Sequence, residues 1–132
     1  MHIVFNSQIK RFLIYWLPAL VYCLIIFIQS SFPATEHIPE FDFSDKLLHA
    51  AVYAGLGMLL YRALNAMHKR PSIASLVVLS IFMTTLYGAS DEVHQYFVPS
   101  RHAEFLDFAA DAVGGIIGVM VAVVFFKNKP SQ

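Results

Sequence analysis

The chain has 132 residues, 58% of them hydrophobic and only 14% charged, with a mean hydropathy of +0.61 and nine acidic residues balanced by nine Lys and Arg. Soluble domains average about 45–50% apolar and about 25% charged residues, so this composition excludes an ordinary soluble domain and predicts one helical membrane unit over 1–132. Zero net charge without a basic, aromatic-interleaved cluster excludes nucleic acid as a partner, and the single cysteine, Cys23, excludes an intramolecular disulfide.

A spanning helix needs roughly 20 mainly apolar residues. Four stretches qualify, at about 12–30, 46–64, 72–90 and 105–126. They are too long and too uniformly apolar for barrel strands, which alternate over about 10 residues. The first follows Lys10-Arg11 and is read as a retained span, because it exceeds a usual signal core and no A-x-A pattern follows it. Pro18 within it removes a backbone donor and predicts a bend. Ser31 to Ser44, with Pro33, Pro39 and three acids, reads as an irregular loop, and Ser44 as the N-cap of the second helix with Asp45 in its first turn.

Arg62 to Pro71 reads as a short basic loop. The third connection, Asp91 to Glu104, is dense in polar residues but interrupted by Tyr96-Phe97-Val98, and reads as a segment lying at the membrane surface. A short basic tail follows the fourth span. With these spans, all nine acids fall on one side, and Lys10, Arg11, Arg62, Lys69, Arg70, Lys127 and Lys129 fall on the other. Cytoplasmic loops keep an excess of Lys and Arg. The expected architecture is therefore an all-α bundle of four transmembrane helices, N-in and C-in, with an extracytoplasmic polar segment between the third and fourth helices.

Three polar groups converge at the acidic side. Asp45, His49 and Tyr53 recur every fourth residue on the second helix, with Lys46 beside them. Tyr87, Asp91, His94 and Gln95 follow helical spacing if the third helix continues past Ser90, and Glu92 and Arg101 lie nearby. Asp107, Asp111, Gly114 and Gly118 form one stripe on the fourth helix. Ionisable residues at a membrane edge are costly and count as a functional hypothesis by default. For the glycines, close helix packing accounts for both. Lys46 and Arg101 either neutralise neighbouring acids or face a ligand, and Tyr53 and Tyr87 suit a membrane–water boundary.

His49 and His94, each close to carboxylates, suit either a divalent metal site or an acid–base pair. No H-E-x-x-H, G-x-S-x-G, P-loop or G-x-G-x-x-G is present. No cofactor is established by these residues, and a divalent metal stays an option. Excess negative charge disfavours bare phosphate as a ligand and favours a cationic group or a metal-bridged anion.

The ordered motifs resemble those of the VanZ-like family of small bacterial membrane proteins. Asp45-Lys46-x-x-His49-x-x-x-Tyr53 resembles its second-helix signature, and Tyr87-Gly88-x-Ser90-Asp91-Glu92-x-His94-Gln95 its third-helix end. Phe97-Val98-Pro99-Ser100-Arg101, then Asp107, Asp111 and Gly114-Gly115, continue the series, and Gln29-Ser30-Ser31 is similar to the family's opening segment. Ser100 stands where the family carries Gly, and Asp111 where it often carries Asn. The resemblance implies a multi-pass protein of the bacterial cytoplasmic membrane, in a family whose founding member is linked to teicoplanin resistance.

Two functions compete. In the first, Asp45, Lys46, His49, Tyr53, Asp91, Glu92, His94, Gln95, Arg101, Asp107 and Asp111 bind a cell-envelope ligand: a lipid head group, a cell-wall precursor or a glycopeptide. In the second, the same cluster is a membrane-surface hydrolase or transferase, with His49 or His94 as general base. Transport is disfavoured, because the opposite halves of the helices carry no charge.

Overall fold

The computed structural model describes residues 6–33, 43–67 and 69–126. It is an all-helical bundle: α1 Ser7–Ser30, α2 Ser44–Asn65, α3 Ile73–Tyr96 and α4 Phe105–Phe126. All four helices are long and apolar enough to cross a membrane. Glu36, His37, Glu40, Asp42, most of the loop assigned to 31–44, His68 and the basic tail lie outside the described residues.

Large apolar side chains such as Leu24, Val78, Ile117 and Val124 face outward, whereas Ser80, Thr84, Asp91, Glu92, Gln95, Asp107 and Asp111 are buried. This distribution suits a lipid surround, where the exterior must be apolar and polar groups face the protein interior. Ser80 and Thr84 donate to the carbonyls of Leu76 and Ser80, one turn back on α3, so neither hydroxyl is left unpaired.

The core lies between α2 and α4, which make the most extensive contact; α3 packs on both, and α1 leans on α2 with a slight contact to α3. A Cβ on Gly114 or Gly118 would overlap main-chain atoms of Ala50 or Ala54 on α2. The glycine stripe of α4 thus meets an Ala-x-x-x-Ala stripe of α2, an arrangement that lets helix backbones approach closely in a membrane.

Pro18 sits inside α1, and the helix continues through it. A proline cannot donate to the carbonyl four residues earlier, which here is Ile14. Arg62 Nη1 of α2 donates to that carbonyl at 3.1 Å, while its guanidinium lies 4.8 Å from the Tyr15 ring centroid. Arg11 Nη2 in turn donates to the Ala66 carbonyl at the end of α2, at 2.7 Å. These contacts tie α1 to α2 at the basic end of the bundle.

α1 begins at Ser7, several residues before the uncharged run that it contains, and Asn6 caps it by accepting from Gln8 N. Two expectations need correction. Ser44 is the first residue of α2 and not its cap; Phe43 holds the cap position without a side-chain hydrogen bond. The segment Asp91–Tyr96 is no surface connection. It is the last part of α3, kept helical because its inner face of Asp91, Glu92 and Gln95 is buried against the bundle. The true connection is the short stretch 97–104.

Candidate functional site

The C-terminal ends of α1 and α3 and the N-terminal ends of α2 and α4 meet at the acidic end, where the buried polar side chains form two adjoining networks. The first joins α2, α3 and α4. Lys46 Nζ reaches Glu104 Oε2 at 2.8 Å, pairs closely with Asp107, and lies 3.6 Å from Asp45. One turn further along α2, His49 Nδ1 lies 2.8 Å from Asp111 Oδ1, and its Nε2 lies 4.0 Å from Asp45. Glu92 Oε2 accepts from the Glu104 backbone N–H at 3.1 Å, which fixes the start of α4 against the end of α3.

The Glu104 carboxyl, just outside α4, is held below the ordinary glutamate range by its hydrogen bond to Lys46 and then by the charge of that ammonium. A depressed carboxyl contributes stability above the ordinary range and loses it as pH falls through the lowered value. The contribution is small here, because the carboxylate is half exposed.

The second network joins α1, α2 and α3 around Asp91. Ser30 Oγ donates to Oδ1 at 2.5 Å, and Tyr53 Oη and Gln95 Nε2 donate to Oδ2 at 3.1 and 3.2 Å. Beside it, His94 turns toward α1, with Nε2 2.9 Å from Ser31 Oγ and its ring stacked on Phe27 at 4.5 Å. Arg101 also turns to α1, donating to the carbonyls of Phe32 at 3.0 Å and Gln29 at 3.4 Å. The two networks meet near Gly88, where a Cβ would touch both Tyr53 and Asp111.

Arg101 is aimed by a tight turn. Its N–H donates to Val98 O at 3.2 Å, Pro99 stands second, and Ser100, third, has a φ of 61°. A type II turn takes Pro at the second position and needs positive φ at the third, where Gly is the usual residue. A glycine at position 100 would meet this backbone requirement without a Cβ.

Asp45, Lys46, His49, Glu92, Asp107 and Asp111 are thus brought together, Tyr53, Asp91 and Gln95 form the adjoining network, and His94 and Arg101 bind the end of α1 instead. Ser30, Ser31 and Glu104 were not singled out as site residues. The Gln29-Ser30-Ser31 segment pointed to the serines, and Glu104, one turn before Asp107, shares its side of the helix start.

Within the first network three carboxylate oxygens, Glu92 Oε1, Asp107 Oδ1 and Asp111 Oδ2, are buried without a hydrogen-bond partner among the described residues, and of these Asp107 Oδ1 has the Lys46 ammonium beside it. Glu92 also borders an open groove of about 310 Å³ between α3 and α4, lined by Ala89, Ala103, Glu104, Phe105 and Phe108 as well.

A bundle of spanning helices with a polar network buried at one end defines a multi-pass membrane protein. The family model described as VanZ/LLP1 matches residues 12–126, and the chain belongs to this VanZ-like family. No curated protein and no solved structure matches the chain.

Proposed function

We propose that the acidic end of the bundle recognises the polar head of a cell-envelope lipid or lipid-linked cell-wall precursor, at the outer face of the bacterial cytoplasmic membrane. The carrying observation is the groove between α3 and α4. It offers apolar walls from Ala89, Ala103, Phe105 and Phe108, and Glu92 and Glu104 stand among its lining residues. A chain in the groove would bring its head to the buried cluster. Asp45, Glu92, Glu104, Asp107 and Asp111 outweigh Lys46 and His49 in charge, which favours a head group bearing an ammonium or an anion bridged by a metal. The outward orientation draws on the Lys and Arg bias of the opposite end. A glycopeptide, the ligand class suggested by the family's founding member, is the other occupant of this reading.

One feature favours a second reading, a hydrolase or transferase. His49 holds Asp111 through Nδ1, so that a carboxylate orients an imidazole whose other nitrogen is turned away from that carboxylate. Turnover of a lipid-linked substrate by the purified protein, lost in His49→Gln, would select it.

Native mass spectrometry of protein released from membranes tests the binding reading. The wild type should retain one envelope lipid class, and His49→Gln and Asp107→Asn should lose it while remaining folded. Equal, unselective lipid in all three would contradict it.

A further inference from the structure

We propose that His49, Glu92 and Asp111 form a binding site for a divalent transition-metal ion. Each residue comes from a different helix, and one ligand atom from each lies within 4.8 Å of the others. Around one ion, with metal–ligand bonds of about 2.0–2.2 Å, such atoms sit roughly 3–4 Å apart, so small side-chain rotations close the site without moving the helices.

The trio is marked by what its carboxylates lack. Asp111 is wholly buried and Glu92 is 7% exposed, yet each leaves one oxygen without a hydrogen-bond partner among the described residues. Buried carboxylate oxygens are expensive unless paired, protonated or bound to a metal. The partners already on these residues do not reach those oxygens: His49 meets Asp111 through Oδ1, and the Glu104 N–H meets Glu92 through Oε2.

A neighbouring trio, Asp45, His49 and Asp107, also has metal-like spacing. It already holds a cation, because Lys46 Nζ pairs with both of its carboxylates. Among the described residues, the ion pairs and hydrogen bonds of Lys46 run to Asp45, Glu104 and Asp107, and none reaches Glu92 or Asp111. The deeper trio therefore presents two carboxylates and an imidazole that Lys46 does not pair with.

One imidazole with two carboxylates suits zinc, manganese or iron better than magnesium or calcium, which take mostly oxygen ligands in larger number. Three protein ligands leave a coordination position open. In so far as the head-group reading holds, and resting on it, the ion would let an acidic site accept a phosphate.

The test uses tag-free protein in detergent, stripped with a chelator and dialysed against Zn²⁺, Mn²⁺ or Mg²⁺, with bound metal measured by elemental analysis and stability by thermal unfolding. The wild type should bind about one equivalent of Zn²⁺ or Mn²⁺ and unfold at a higher temperature with it, but gain nothing from Mg²⁺. Glu92→Gln and Asp111→Asn should bind at least about ten-fold more weakly, while Asp45→Asn and His102→Gln keep their metal. Absence of stoichiometric metal in the wild type overturns the inference even if the variants fail to fold. Loss in Asp45→Asn with retention in Glu92→Gln overturns it too. Metal binding by wild-type protein that retains no lipid would leave this site standing and remove the head-group reading alone.

Discussion

Gly118 of α4 lies against the main-chain carbonyl of Ala54 on α2 with no space for a Cβ between them. Because Gly114 meets Ala50 in the same way one turn earlier, the two contacts set how close α4 comes to α2, and so how close Asp111 comes to His49. Gly118→Ala should cost on the order of 1–3 kcal/mol through overpacking, and Gly118→Leu more. Thermal unfolding in detergent measures this. An unchanged midpoint for Gly118→Leu would remove the close-contact account.

Arg62 supplies the hydrogen bond that Pro18 takes away from Ile14. Arg62→Ala should destabilise the protein by about 1 kcal/mol or somewhat more, from the lost hydrogen bond and the contact with Tyr15. With Pro18→Ala the helix regains its own donor, and the same Arg62→Ala change should cost less. A double-mutant cycle by thermal unfolding reads this coupling. Equal costs in both backgrounds would mean that Arg62 does not compensate for the proline.

Ser100 occupies the left-handed region at a φ of 61°, a conformation costing roughly 1–2 kcal/mol for a residue with a Cβ. Ser100→Gly should raise the unfolding midpoint by an amount corresponding to up to about 1 kcal/mol, since glycine's greater freedom when unfolded offsets part of the relief. A lower midpoint would contradict the turn geometry.

The orientation is open to labelling with a membrane-impermeant thiol reagent after Cys23 is replaced. A cysteine in place of Ser100 should label strongly in intact cells, and one in place of Ser131 should not. The reverse pattern would turn the bundle over and place the cluster at the cytoplasmic face.

The four spans were legible because lipid demands long apolar runs, and the bounds of α4 agree with the run 105–126. The glycine stripe was legible too, but its partners Ala50 and Ala54 were not, since alanine in an apolar run carries no mark of the face it presents. The continuation of α3 decides the fate of His94. Glu92 and His94 are two positions apart, and on a helix such residues do not face each other. With Glu92 turned toward α4, His94 must turn elsewhere, and it meets Ser31 of α1. The unpartnered oxygens of Glu92 and Asp111 depend on distances between three helices, which no spacing within one helix reveals.

The most direct test of an envelope-lipid site is photo-crosslinking in native membranes, with a photoreactive amino acid placed at Ala89 in the groove or at Leu24 on the exposed face of α1. The Ala89 probe should capture one lipid class far above its share of the membrane, and His49→Gln should abolish that enrichment, while the Leu24 probe captures bulk lipid. The same bulk composition at both positions would contradict the account.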